Sequence, residues 1–405
     1  MFQVIESRPA PVATRGVGVW LRQNLFSSVG NSILTVVVGV IVIFAVFNFL
    51  TFIFVDGSWE QVWRNMKLFG VYRYPTELLW RPLTIVATMM GLLGVMSGAS
   101  GRGSIVSNAF FAFQGLIGLL AVVAVIFWPS VRVLWPMVLV AGFAGYFLGR
   151  AQPRLTRRLP LAWAVWFVVG IALLYGVTPG SGLLRVVPAR DWGGFLLTLV
   201  LFTGLIPSFP LGIALALGRN SKMPAIKYLC IGFIEVVRGA PLIMWLFIAS
   251  LLLPLILNVD AQSLPAILRA YVAITLFSAA YMAENVRGGL QAVPRGQTEA
   301  ARALGLSGWQ TTLLIVLPQA LRAVIPAIVG QSIGLFKDTS LVFIVGLVDF
   351  FKVADLVSVQ PASLLVTGGV KLEVFLFIAV IYFFFAYRMS IASRQLEKQL
   401  GVGER

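Results

Sequence analysis

Lys337, Asp338, Thr339 and Ser340 stand together inside an otherwise apolar run, and a cation beside an anion there is open to two chemistries. The charged pair could meet the two ends of a zwitterion, or the two side chains could neutralise each other where a helix stops. Gln331 and Ser332, a turn or two earlier, could face the same cavity or serve packing between helices. Glu235 and Arg238 are three residues apart on one helical face, and the spacing predicts a structural pair between them. Glu284 and Arg287 repeat that spacing and are expected to brace the loop that follows. Bond chemistry has few candidates. There is no histidine, the single Cys230 excludes an internal disulfide or a Cys-cluster metal site, and no Gly-Lys dipeptide exists from which to build a Walker A loop. No catalytic and no metal-ligating residue is assigned.

These polar residues are conspicuous because so little else is charged. Of 405 residues, 59% are hydrophobic and 11% charged, with a mean hydropathy of +0.93. A soluble chain keeps about 25% of its residues charged. The fold class is therefore an all-α polytopic membrane protein. A bilayer core of ~30 Å needs roughly 20 apolar residues of helix, because unpaired backbone groups cannot be left in lipid. Charge-free runs place spans near 31–54, 82–101, 103–131, 133–149, 159–184, 192–218 and 239–259. Less clean runs lie at 268–284, 313–335 and 372–390, which makes about ten transmembrane helices. No cleavable signal segment is expected before the first. Gly91, Gly94 and Gly98 suggest a helix that packs closely on a neighbour. Trp59, Trp63 and Trp80 fit an interfacial belt.

Lys and Arg total 31 against 15 Asp and Glu, a formal +16. Placing both termini inside puts 20 of the 31 basic residues on the cytoplasmic side, including the cluster Arg150, Arg154, Arg157 and Arg158. The positive-inside rule thus favours cytoplasmic N and C termini, and the excess charge is not a nucleic-acid footprint. Asp349, Lys352 and Asp355 then fall in an outside segment, 341–370. That segment is either a partly embedded helix that receives a soluble protein or an ordinary amphipathic connection.

The stretch from Glu284 to Arg322 is the most informative. Gly288, Gly289, Pro294 and Gly296 are expected to break the preceding helix, and Gln297–Leu304 to form a short one. Gly305 suits the left-handed stop, Ser307-x-x-Gln310 reads as a capping box, and Pro318 should kink the helix beyond. Ala300, Ala301 and Ala303 present a small surface with one carboxylate, Glu299, suited either to a cleft in another protein or to lying on headgroups.

Glu299-Ala300-Ala301, then Gly305 three residues on, then Ile315-x-Leu317-Pro318, resembles the EAA loop of ABC importer permeases. The likeness extends over roughly 190–392. Pro210–Arg219, Phe233–Leu242, Ala280–Glu284, Arg287–Leu290 and Phe336–Leu341 are similar to signatures of the polar amino-acid branch, in particular the longer permease of general L-amino-acid importers.

That resemblance implies an N-terminal membrane region at 1–190 with about five extra helices, a five-helix type I importer core at 191–392 and a cytoplasmic tail at 393–405. It implies a bacterial inner (plasma) membrane subunit that forms half of a translocation path for polar L-amino acids. Gln297, Glu299, Ala300, Ala301, Gly305 and Pro318 would couple it to an ATPase. The implied partners are a second permease (a heterodimer), two copies of a cytoplasmic ATP-binding subunit, a periplasmic or lipid-anchored amino-acid-binding protein, and membrane lipid. No cofactor is expected on this chain, ATP and Mg belonging to the partner ATPase. Gln331, Ser332, Lys337, Asp338, Thr339 and Ser340 would line the substrate path. The alternative is an ion-coupled secondary amino-acid carrier, which predicts inverted repeats and a mid-span acid; the sequence offers neither.

Overall fold

The computed structural model describes residues 17–101, 104–127, 134–178, 182–260 and 264–401. Arg8, Arg15, Arg102, Arg132 and Arg405, which enter the charge asymmetry, lie outside them, as does the tail at 402–405. The chain divides into two compact units, Met1–Ser58 and Trp59–Arg405.

In the first unit, helix α1 (Val29–Thr51) is apolar on all sides. Ser28 caps it by accepting from the Asn31 amide, and a wide turn at Phe52–Asp56 extends it to a span of 28 residues.

The second unit contains α2 (Trp80–Ser100), α3 (Ile105–Phe127), α4 (Leu134–Ala151), α5 (Leu159–Tyr175), α6 (Gly194–Phe202) and α7 (Leu205–Arg219). There follow α8 (Pro224–Arg238), α9 (Leu242–Ile256), α10 (Ala266–Ala292), α11 (Arg295–Ala303), α12 (Leu317–Asp338), α13 (Phe350–Ser358) and α14 (Lys371–Leu400). Among the described residues eight helices are long and apolar enough to cross a membrane, or nine if α8 and α9 form one broken span. The tenth expected span, 133–149, is α4, whose 18 residues rise about 27 Å.

Two expectations about spans need correction. The run 239–259 is not a straight crossing: α9 has only 15 residues and joins α8 across a bend of 108°. Pro241 starts α9, and Trp245 donates its indole N–H to the Val237 carbonyl at 2.9 Å, tying the two arms of the bend together. The run 192–218 is two helices, α6 and α7, parted at Thr203–Gly204.

The glycines of α2 do what small residues allow. A Cβ on Gly94 would lie 2.3 Å from the Gly142 carbonyl oxygen of α4, and one on Gly98 would lie 2.0 Å from that of Tyr146. The two backbones therefore touch, which only hydrogen at these positions permits.

The core of the second unit draws on both halves of the sequence. Tyr74, Leu78, Leu174 and Trp192 bury against Leu197, Leu246 and Ile274. A second cluster packs Val62 and Phe69 on Phe350, Val353 and Val374, so residues 59–74 cover α13 and the start of α14. Arg81 is fully buried, and its guanidinium donates to the carbonyls of Leu183 and Arg185, 3.0 Å from Nη1 in the latter case. Sequence inspection had credited residues 1–190 with no buried charge. This one satisfies itself on a hairpin of backbone carbonyls, a role with no local signature.

Candidate functional site

The loop after α10 is built as a rigid bracket. Gly288 and Gly289 do not break α10, contrary to expectation; the helix runs on to Ala292. Tertiary packing outweighs the helix cost of glycine, because Gly289 is the point where α10 touches α12. Only Val293 and Pro294 separate α10 from α11.

Helix α11 ends in a Schellman motif. Gly305, at φ +81°, donates to the Arg302 carbonyl at 2.9 Å, and Leu306 donates to the Ala301 carbonyl at 3.1 Å. Immediately after it the Ser307 hydroxyl accepts from the Gln310 amide at 3.3 Å, and Gln310 Oε1 accepts from the Ser307 amide at 2.9 Å. That reciprocal capping box starts a short helix that widens into a π-turn at Thr311–Val316. Pro318 therefore opens α12 and does not kink an α-helix: the wider turn gives its ring the room an α-helical turn would deny it.

Ala301 is buried against the π-turn, whereas Gln297, Glu299 and Ala300 face outward. Gln319 of α12 donates to Gln297 Oε1 at 3.2 Å, holding the short helix to the next span. Leu304 and Trp309 stand at the tip of the loop, 82% and 67% exposed, an apolar pair beside the alanines.

Directly above the loop, five charged residues from α7, α8 and α10 converge. Arg219 Nη1 lies 2.9 Å from Glu235 Oε1 and 3.6 Å from Glu284 Oε2. Arg238 Nη1 lies 3.5 Å from the same Glu284 oxygen, and its guanidinium sits 5.4 Å over the Tyr281 ring. Arg287 Nε donates to Glu284 Oε1 at 2.8 Å. The expected pair between Glu235 and Arg238 is thus replaced. Among the described residues no ion pair joins them, because each turns to a neighbouring helix. Arg219, the residue that links the two carboxylates, was passed over in the sequence as one more basic residue at a span end.

The polar residues of α12 serve two purposes. Gln331 donates to the Ser278 carbonyl and accepts from Asn285, both at 2.8 Å, so it stitches α12 to α10. The Ser332 hydroxyl bonds back to the Ile328 carbonyl. Lys337 is exposed, Asp338 ends α12, and no ion pair joins the two. Thr339 is fully buried with its hydroxyl on the Phe336 carbonyl, and Ser340 lies half-buried beside it. Further along, Asp349 caps α13, accepting from the amides of Phe351 and Lys352 at 3.0 Å each. Its complete burial pushes its carboxyl up to about 6. Lys352 and Asp355 pair at 2.6 Å.

The ion-pair hub, the loop and α12 all fall inside residues 208–402, which match the family of binding-protein-dependent transport system inner membrane components. Over 98% of its length the chain is 36% identical to the inner membrane amino-acid ABC transporter permease protein YhdY of Escherichia coli (strain K12), of which it covers 96%. The chain belongs to the amino-acid ABC transporter permeases. It is also 37% identical to the glutamate/glutamine/aspartate/asparagine transport system permease protein BztC of Rhodobacter capsulatus, over 98% of this chain and 97% of that one. A shorter relative is the probable glutamine ABC transporter permease protein GlnP of Bacillus subtilis. It is 38% identical over 51% of this chain and 91% of its own. The permease is accordingly a multi-span membrane subunit of an ABC importer and not its ATPase, and the ion-coupled carrier is set aside.

Proposed function

We propose that this permease carries polar L-amino acids as one of two permease subunits around a shared path, with an ATPase subunit docked on α11. The observation that carries the reading is the bracket itself: a short helix fixed at both ends by capping, with Ala301 inward and Gln297, Glu299 and Ala300 outward. A small-residue face with an exposed Leu304 at its rim suits insertion into a cleft, and fixed ends let a push on α11 reach α10 and α12 undiminished. ATP and Mg would be held by that partner, a soluble amino-acid-binding protein would deliver substrate from the opposite side, and both termini would face the cytoplasm. Lys337, Asp338, Thr339 and Ser340 remain the proposed outer part of the path, and the family names of YhdY and BztC support an amino-acid cargo.

Affinity purification of the tagged chain from its native membrane tests this. An ATP-binding subunit and a second permease are expected to co-purify, and the ATPase to be lost when Glu299→Lys and Gly305→Val are introduced. Uptake by the purified chain alone in liposomes, without any ATPase, would overturn it.

A further inference from the structure

Glu284 is the shared counter-ion of three arginines, and it is unevenly satisfied. Its Oε1 accepts from Arg287, whereas its Oε2 is buried with no hydrogen bond. Two guanidinium groups wait at 3.5 and 3.6 Å from that oxygen, beyond the 2.7–2.9 Å or so at which such charge-assisted bonds close. Arg219 uses the same nitrogen to hold Glu235 on α8. Drawing Arg219 to Glu284 therefore stretches its bond to Glu235, and releasing it restores that bond.

The geometry places this exchange on a lever. Glu284 lies on α10, and α10 continues without a break for eight residues to Ala292, about 12 Å, before Val293–Pro294 hands over to α11. Below the hub, Ala216 of α7, Ile234 of α8 and Met282, Ala283 and Val286 of α10 form one small buried cluster, so the three helices meet there and nowhere have slack between them. A carboxylate short of one hydrogen bond, facing three guanidinium groups with only one other carboxylate to share them, has more than one arrangement of similar cost.

We propose that Glu284 is a positioning residue for transport. Movement of α11 carries Glu284 relative to α7 and α8, Arg219 changes partner between Glu235 and Glu284, and the gap between α7, α8 and α10 opens or closes with it. The proposal rests on α11 being the ATPase contact, as argued above. In this arrangement ligand-dependent closure selects between two ion-pair patterns, each stabilised by contacts the other lacks.

The test uses the full importer, with its ATPase, second permease and binding protein, in proteoliposomes. Glu284→Gln keeps the size of the side chain and removes its charge. The complex is expected to assemble and hydrolyse ATP, while transport per ATP falls about tenfold, within the range of coupling between linked sites. Glu284→Asp should recover part of that ratio. A second measurement leaves Glu284 in place: in a Cys230→Ser background, Arg219→Cys and Glu235→Cys are cross-linked with mercury in the nucleotide-free and ATP-trapped states. The cross-linking rate is expected to differ between the states. Equal rates in both states, or an unchanged transport-to-ATP ratio in Glu284→Gln, would overturn the switch. A wild-type chain that retains no ATPase would instead overturn the coupling reading beneath it, so the two failures are distinct.

Discussion

Gly289 of α10 and Ala320 of α12 meet backbone to backbone: a Cβ at position 289 would sit 2.4 Å from the Ala320 carbonyl oxygen. Its neighbour Gly288 faces open space, with nothing within 4 Å of the same construction. Adjacent glycines in one helix should therefore respond oppositely to the same change. Gly289→Ala is expected to cost about 1–3 kcal/mol through overpacking and to loosen the Gln331 stitch to Ser278 and Asn285. Gly288→Ala should be stabilising by roughly 0.5–1 kcal/mol, the helix preference of alanine over glycine. Thermal unfolding in detergent, Tm down for one and up for the other, checks the contrast.

The stop of α11 depends on backbone conformation and not on space. Gly305 has φ +81° but nothing near its missing side chain. Gly305→Ala should fit without a clash and still cost about 1–2 kcal/mol, whereas Gly305→Asn should cost less, because asparagine tolerates the left-handed region. If the Schellman motif positions the docking face, ATPase retention on the purified chain should follow the order Gly, Asn, Ala.

Asp349 makes stability depend on pH. Burial holds its carboxyl at about 6, above the ~3.9 of an unfolded chain, so the folded state keeps the proton to higher pH. The contribution is complete below about pH 4 and is lost as the pH rises through about 6. Asp349→Asn removes the titration and leaves an N-cap in place. Going from pH 7 to pH 5 should stabilise the wild type relative to that variant by about 1 kcal/mol, read as the difference between their Tm values.

Arg81 is expected to be a clasp. Its guanidinium spans the carbonyls of Leu183 and Arg185, and Arg185 itself pairs with Glu77. Arg81→Met fills much of the same volume but leaves those carbonyls without their donor, at roughly 1.5–3 kcal/mol for each charged hydrogen bond lost. Tryptic cleavage at Arg185 should become several times faster, with expression otherwise retained.

What could be read beforehand was local. Gly305, Ser307 and Gln310 announce their own turns, because capping is decided by a handful of adjacent residues, and the small residues of α2 announce a close neighbour without naming α4. The long spans follow from composition alone. What escaped was tertiary. Glu235 and Arg238 have the right spacing to pair, but a helix surface gives no sign that Arg219 and Glu284 will come nearer. Gly288 and Gly289 look like breakers until α12 is seen resting on one of them. The bend between α8 and α9 was masked by an apolar run that is long enough on paper, although Gly239 and Pro241 mark the place.

The π-turn at Thr311–Val316 has a consequence for lineage and engineering alike. A wide turn holds one residue more than an α-helical turn, so it behaves as an insertion absorbed without a loop. Deleting a single residue there should let the segment rewind as ordinary α-helix and rotate everything beyond it by about 100°. Gln331 would then swing away from Asn285 and Ser278, and the azimuth of α12 would be reset from a site some fifteen residues upstream.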